Sequence, residues 1–184
     1  NSDLKENESD DYSWNTTLAK KVNFPQEFWL VFDTSNLVFD YAKYSTLFLV
    51  SKTFLDVIEK YCSENIQYVK VNMVKNKTES ICEKQYYFLK FTEDSDYIDY
   101  ENSIVEQKYD YITKTNQIIK YLNIKLKEQE IDKDIFVLRN NILGQIIYIS
   151  AKVKNELIKQ NLNNHIHIIP VEDVANFHNE YYFL

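Results

Sequence analysis

The sequence predicts an α+β protein with a single mixed β-sheet, against which helices pack in two strand-helix-strand units. Three observations favour this class. Apolar runs of strand length recur along the chain, and two of them end in Ser ahead of a helical pattern. Large side chains are also abundant, since 45% of the 184 residues are hydrophobic and 15% are aromatic. Such a chain can bury a core without metals or disulfides.

The N-terminal segment differs in composition from the rest of the chain. Residues 1–11 are polar and acidic with a single apolar anchor, Leu4, so we expect a flexible acidic tail over residues 1–12. No linker-like composition interrupts residues 13–184, which predicts a single α+β domain over that range. No apolar run approaches the roughly 20 residues that span a bilayer, so we expect no membrane partner.

The first two predicted strands flank a short polar stretch. Residues 28–32 and 37–39 are apolar, and residues 33–36 (Asp-Thr-Ser-Asn) have side chains that favour turns. This pattern predicts a β-hairpin.

The first strand-helix-strand unit follows. Residues 47–50 are apolar and end at Ser51, a residue type that caps helices by accepting a backbone N–H. Residues 53–61 then carry apolar side chains at helical spacing, and residues 66–71 predict the second strand.

A second unit with the same order lies near the C-terminus. Residues 146–149 and Ser150 repeat the strand and cap, residues 151–161 predict a helix, and residues 166–171 predict a strand. Internal duplication is one explanation, and the other is that any strand-helix-strand unit has this pattern.

Between the two units, residues 85–91, 118–126 and 135–138 predict further strands. A helix over residues 112–122 is the alternative to the middle one, but Ile, Tyr and Thr dominate there and favour a strand. The apolar residues 180–184 predict an edge strand or a frayed end.

Composition excludes several function classes. A single Gly cannot form a phosphate-binding loop, which needs several glycines for close backbone approach. A net charge of −7 without a basic stripe disfavours nucleic acid as a partner. Two cysteines far apart in sequence suit neither a zinc knuckle nor a disulfide scaffold.

Histidine and serine residues offer little for catalysis. His165 and His167 lie on one face of a predicted strand, but no third ligand is evident, so we expect exposed histidines and no metal. Ser51 and Ser150 occupy strand-to-helix junctions, as some nucleophiles do, but lack the flanking glycines, and capping explains both. We therefore predict no catalytic residue, no cofactor and no enzyme activity.

Carboxylates and tyrosines are concentrated in residues 93–101, which we call the acidic segment. Its lack of periodicity predicts a loop, and a calcium-binding loop would need a turn glycine that is missing here. Tyrosine offers a large contact area at small entropic cost, and carboxylates pair with Lys or Arg of a basic partner. A solvated loop is the simpler alternative. The candidate partner-binding residues are Glu93, Asp94, Asp96, Tyr97, Asp99, Tyr100 and Glu101.

Several of these elements occur in an order that resembles bacterial immunity proteins, the cytosolic antidotes encoded beside polymorphic toxins. Four features recur in that family in this order: an aspartate-aromatic pair, a strand-Ser-helix unit, an Ile-Phe strand and a second strand-Ser-helix unit. Asn163 and Asn164 stand where a glycine is often found after the second helix. The matching positions are residues 38–41, 47–51, 134–138 and 147–150, the helices that follow, and residues 166–171.

The resemblance implies a cytoplasmic protein that binds and neutralises one cognate toxin, without cofactor or catalysis. From the acidic, tyrosine-bearing surface we expect that binding occludes the toxin active site. An acidic surface suits the basic active-site cleft of a nuclease toxin. The resemblance gives neither contact residues nor oligomeric state. Two alternatives from other classes stay open. A structural or adaptor subunit predicts a stable homo-oligomer, and a small hydrolase predicts histidines gathered in one pocket.

Overall fold

The computed structural model describes residues 14, 16, 19–33, 37–75, 79–162 and 166–182. The chain folds into two compact units. The first unit holds the described residues up to Glu93 and from Ala151 to Ile166, and the second holds those from Asp94 to Ser150 and from His167 onward. One domain over residues 13–184 stays a prediction, and the predicted tail lies outside the described residues.

The first unit is built on a mixed β-sheet. Its strands run in the order β1-β4-β6-β3-β2, with β5 added to β4. Only β1 and β4 pair in parallel among the described strands, and every other pair is antiparallel. The α+β class with a mixed sheet is therefore confirmed. The strand bounds are β1 Phe28–Val31, β2 Tyr41–Tyr44, β3 Leu47–Ser51, β4 Ile66–Lys75, β5 Glu79–Ser80 and β6 Tyr86–Phe91.

One face of this sheet is lined by alternate residues of the central strands, as the two-residue period of a strand requires. Leu49 of β3 lies opposite Phe88 of β6, and Phe88 lies opposite Val69 of β4. All three side chains are buried in one apolar cluster. The ring of Phe28 meets Phe88 edge-on at 5.0 Å, so β1 extends the same core.

In the part of the chain that the structure describes, two helices belong to the first unit. Helix α1 (Lys52–Cys62) packs on β3 and β6, and its Phe54, Leu55, Val57 and Ile58 are buried. Helix α2 (Ala151–Lys159) packs on α1, with Val153 and Leu157 buried. The predicted packing of a helix against the sheet is confirmed.

Among its described residues, the second unit contains two antiparallel ribbons and one α-helix. Strands β7 (Ile104–Asp110) and β8 (Thr115–Asn123) form one ribbon, and β9 (Ile135–Asn140) and β10 (Gly144–Ile149) form the other. Helix α3 covers Val174–Tyr182. Strand β8 confirms the preference for a strand over a helix in this part of the sequence.

The predicted N-terminal hairpin is wrong. Strand β1 pairs in parallel with β4, and residues 37–39 form no strand. Leu37 and Phe39 pack instead against the core of the first unit, and the Tyr86 hydroxyl bonds both the N–H and the carbonyl of Phe39. These two side chains therefore pack against the core although residues 37–39 form no strand.

Both C-terminal strands are also wrong. Residues 166–170 are irregular, and Pro170, which has no N–H to give to a sheet, leads into a single 3₁₀ turn at Val171–Asp173. Residues 180–182 end helix α3, whose buried Val174, Ala175 and His178 lie on one helical face. Residues 183 and 184 lie outside the described residues.

Candidate partner-binding surface

From Asp94 onward the acidic segment belongs to the second unit, where the Ser95 N–H donates to the Val137 carbonyl at 3.0 Å and residues 97–99 lie beside residues 125–127. The Asp99 N–H donates to the Lys125 carbonyl at 2.9 Å, and the Lys127 N–H donates to the Tyr97 carbonyl at 2.8 Å. Between them, Ile98 is 2% exposed and forms an isolated bridge with Leu126. The buried side chain and the backbone bonds fix the course of a segment that the sequence predicted only as a loop.

Tyr97 is partly buried and packs against the core of the second unit. Its ring meets Phe136 edge-on at 4.9 Å, and its hydroxyl donates to Asp132 Oδ1 at 2.9 Å. Burial, followed by the neighbouring Asp132 carboxylate, raises the pKa of Tyr97. The Tyr97 side chain therefore mainly holds the acidic segment against the second unit and offers little contact area to a partner protein.

Asp99 organises the turn that ends the acidic segment. The side-chain amide of Asn102 donates to Asp99 Oδ2 at 2.7 Å, and the Asn102 N–H donates to Oδ1 at 3.1 Å. These two bonds to Asn102 are the main cause of the lowered pKa of Asp99. The Ser103 hydroxyl adds a bond to the Asp99 carbonyl at 2.6 Å. Asp99 acts chiefly as a local turn-former.

The other five predicted contact residues point toward solvent. Tyr100 is 47% exposed. Partial burial is the main cause of the raised pKa of Tyr100, and Asp96 adds to it. The remaining exposed members are Glu93, which belongs to the first unit, and Asp94, Asp96 and Glu101.

This arrangement suits recognition rather than bond-making. Exposed carboxylates beside a half-exposed tyrosine can receive Lys or Arg side chains of another protein, with the ring as an apolar anchor. Within the described ranges, no three His, Cys, Asp or Glu side chains come together as a metal-binding group.

The histidines occupy unlike environments. His165 lies outside the described residues, and His167 is exposed, with its ring 5.6 Å from that of Phe177. His178 is buried in helix α3, and burial lowers its pKa against the opposing effect of a hydrogen bond to the Ile142 backbone. His167 therefore fits the predicted exposed histidine, although it lies in no strand.

Sequence reasoning missed an exposed apolar group at the end of the β7–β8 ribbon. Tyr111 is 84% exposed and Ile112 is 92% exposed, both in the turn between the strands. The sequence feature that could have revealed this group is the pair Tyr111-Ile112 between two residues typical of turns, Asp110 and Thr113.

Comparison with known protein families decides which group the chain falls into. A family model described as Immunity protein 43 matches residues 3–184. The chain belongs to the Immunity protein 43 family. The predicted resemblance to immunity proteins of polymorphic toxin systems is thereby confirmed.

Membership of the Immunity protein 43 family assigns the chain a toxin-neutralising role, with a cognate toxin as its partner, in a group that is in general non-enzymatic. A comparison with curated protein sequences found no match. Among the described residues, no helix combines the length and the apolar character needed to cross a membrane.

Proposed function

We propose that this protein neutralises its cognate toxin by binding over the toxin active site, and that the acidic segment forms part of the contact surface. The observation that supports this most directly is the exposure of Asp94, Asp96 and Glu101 in a segment whose backbone is bonded to the second unit at Ser95, Tyr97 and Asp99. A surface held in place before binding loses little conformational entropy in the complex.

The proposed partner is a toxin domain with a basic cleft, as a nuclease has. A cleft that binds phosphates concentrates Lys and Arg, and an acidic surface is attracted to it over long range. The net charge of −7 adds to this attraction. Binding requires no cofactor and no catalytic residue of the immunity protein, and we place the complex in the cytoplasm.

The first test compares charge reversal inside and outside the acidic segment. Asp96→Lys with Glu101→Lys removes two exposed carboxylates from the segment. Glu64→Lys with Glu172→Lys changes the net charge equally at two exposed positions elsewhere. We expect the first pair to slow association with the toxin encoded beside the protein by about 10- to 100-fold at low salt.

Three outcomes separate the possibilities. Competition between the immunity protein and the toxin substrate, together with a salt-sensitive association rate, supports the proposal. Equal effects of both charge-reversed pairs remove the acidic segment from the interface. Failure of the wild-type protein to inhibit the toxin, combined with a stable homo-oligomer in solution, favours a structural subunit instead.

A further inference from the structure

The distal half of the β7–β8 ribbon is exposed on both of its faces. Successive residues of a strand point to opposite faces, yet Glu106, Gln107, Lys108 and Tyr109 are all exposed, as are residues 111–117. At the other end of the ribbon, Tyr121 is buried in the core of the second unit. The ribbon is therefore anchored at its base, and its distal half, residues 106–117, forms an arm.

The end of this arm presents two large apolar side chains. Tyr111 and Ile112 are 84% and 92% exposed, and the ring of Tyr109 meets that of Tyr111 edge-on at 5.1 Å. Polar residues normally occupy such turns. Placing an aromatic and a branched aliphatic side chain there exposes apolar area that burial in a complex would remove from water.

The turn that carries these side chains is internally bonded. Asp110 accepts the Ile112 N–H at 2.8 Å and the Thr113 hydroxyl at 3.0 Å, and Lys114 adopts a left-handed φ of 55°. The Gln117 side-chain amide donates to the Thr115 hydroxyl at 2.7 Å. The Thr115 hydroxyl also forms a hydrogen bond with the Thr113 hydroxyl. The tip has a defined shape before any partner arrives, which limits the entropy lost on binding.

We propose that Tyr111 and Ile112 insert as a wedge into a concave apolar pocket of the cognate toxin. This inference rests on the proposed function and adds a second contact that differs in chemistry from the acidic segment. Exposed Lys108 and Lys114 flank the tip, so the pocket that fits it has carboxylates or carbonyls at its rim. The same lysines and apolar tip would also suit an anionic membrane surface, but the net charge of −7 disfavours it.

The test uses two doubly substituted full-length proteins. Tyr111→Ser with Ile112→Ser removes the wedge. Ile104→Ser with Leu122→Ser is the matched control, because these side chains are 59% and 48% exposed near the base of the same ribbon. Affinity for the purified toxin domain is measured at low and high salt, and thermal unfolding shows whether each variant is folded.

We expect the wedge variant to bind about 100-fold more weakly through faster dissociation, with the salt dependence of association unchanged. The control should stay within about threefold of wild type. Asp110→Ala, which leaves both apolar side chains but loosens the turn, should weaken binding by about 3- to 10-fold.

Each contrary result has its own meaning. Unchanged affinity of a folded wedge variant overturns the wedge and leaves the proposed function standing. Failure of the wild-type protein to bind the toxin overturns both. If the wild type dimerises and the wedge variant does not, a second copy is the occupant. If wedge-dependent binding to phosphatidylserine vesicles occurs without toxin binding, the target is a membrane surface. Either of these last results overturns the toxin assignment.

Discussion

Ser51 Oγ donates a 2.6 Å hydrogen bond to Asp40 Oδ1, and the Ser51 N–H donates to the Asp40 carbonyl at 3.0 Å. The same hydroxyl oxygen accepts the Phe54 N–H at 3.2 Å and so caps helix α1. Lys84 also bonds Asp40 Oδ1, at 2.7 Å. One fully buried serine thus closes the β2–β3 hairpin and starts the helix.

Replacing Ser51 with Ala should lower the free energy of unfolding by about 1–3 kcal/mol, because it removes a helix cap and a bond to a carboxylate. Chemical denaturation measures this change. Ser63→Ala is the control, since Ser63 is exposed beyond the end of α1 and should change stability by less than about 0.5 kcal/mol. Equal losses in the two variants would contradict a structural role for Ser51.

The second unit repeats this closure. Ser150 Oγ donates to Asp134 Oδ1 at 2.7 Å, and the Ser150 N–H donates to the Asp134 carbonyl at 2.8 Å, across the ends of the β9–β10 ribbon. A double-mutant cycle with Asp134→Ala and Ser150→Ala should give a coupling energy of about 0.5–2 kcal/mol. Additive losses would show that the two side chains stabilise the protein independently.

The two strand-Ser-helix units were predictable from local pattern, because alternation, capping and helical spacing act over a few residues. The absence of a strand after the second of these helices, over residues 166–171, was not predictable in this way. Ile166, Ile168 and residues 169–171 gave an apolar run of strand length, but the residues from His167 onward lie in the second compact unit and pair with no described strand. Only tertiary contacts decide whether such a segment finds a strand partner.

The acidic segment was also only partly predictable from the sequence. Its composition predicted a loop with carboxylates and tyrosines at the surface, and five of its seven candidate residues are exposed. Tyr97 turns inward because Asp132 and Phe136, more than 30 residues away in sequence, receive its hydroxyl and its ring. No local pattern distinguishes Tyr97 from Tyr100.

That difference gives a prediction for the two tyrosines. Tyr97→Phe should lower the free energy of unfolding by about 0.5–1.5 kcal/mol, because one hydrogen bond to Asp132 is lost. Its affinity for the toxin should not change. Tyr100→Ala should weaken toxin binding by about 10-fold if Tyr100 is an anchor. Calorimetric titration measures both affinities, and equal affinities of the two variants would remove Tyr100 from the interface.

Tyr148 offers a test of core polarity in the second unit. Its ring stacks on Phe136 at 5.1 Å, and its buried hydroxyl has no hydrogen-bond partner among the described residues. Tyr148→Phe should therefore leave stability unchanged or raise it by about 1 kcal/mol. Tyr121→Phe is the contrast, because the Tyr121 hydroxyl accepts the Asn140 amide at 3.0 Å and its loss should destabilise by about 1 kcal/mol. A clear loss in Tyr148→Phe would reveal a partner for its hydroxyl.

Alkaline pH should destabilise the protein through ionisation of Tyr148. Burial raises the pKa of Tyr148 to about 12, whereas an unfolded tyrosine has a pKa of about 10. Below pH 10 both states hold the proton and stability is unaffected. Between pH 10 and 12 the unfolded state loses its proton first, so the free energy of unfolding falls by about 1.4 kcal/mol per pH unit from this group. Urea unfolding of wild type and Tyr148→Phe at pH 9 and 11 isolates the contribution. The wild type should lose more stability than the variant, and equal losses would show that Tyr148 ionises as readily in the folded protein as in the unfolded chain.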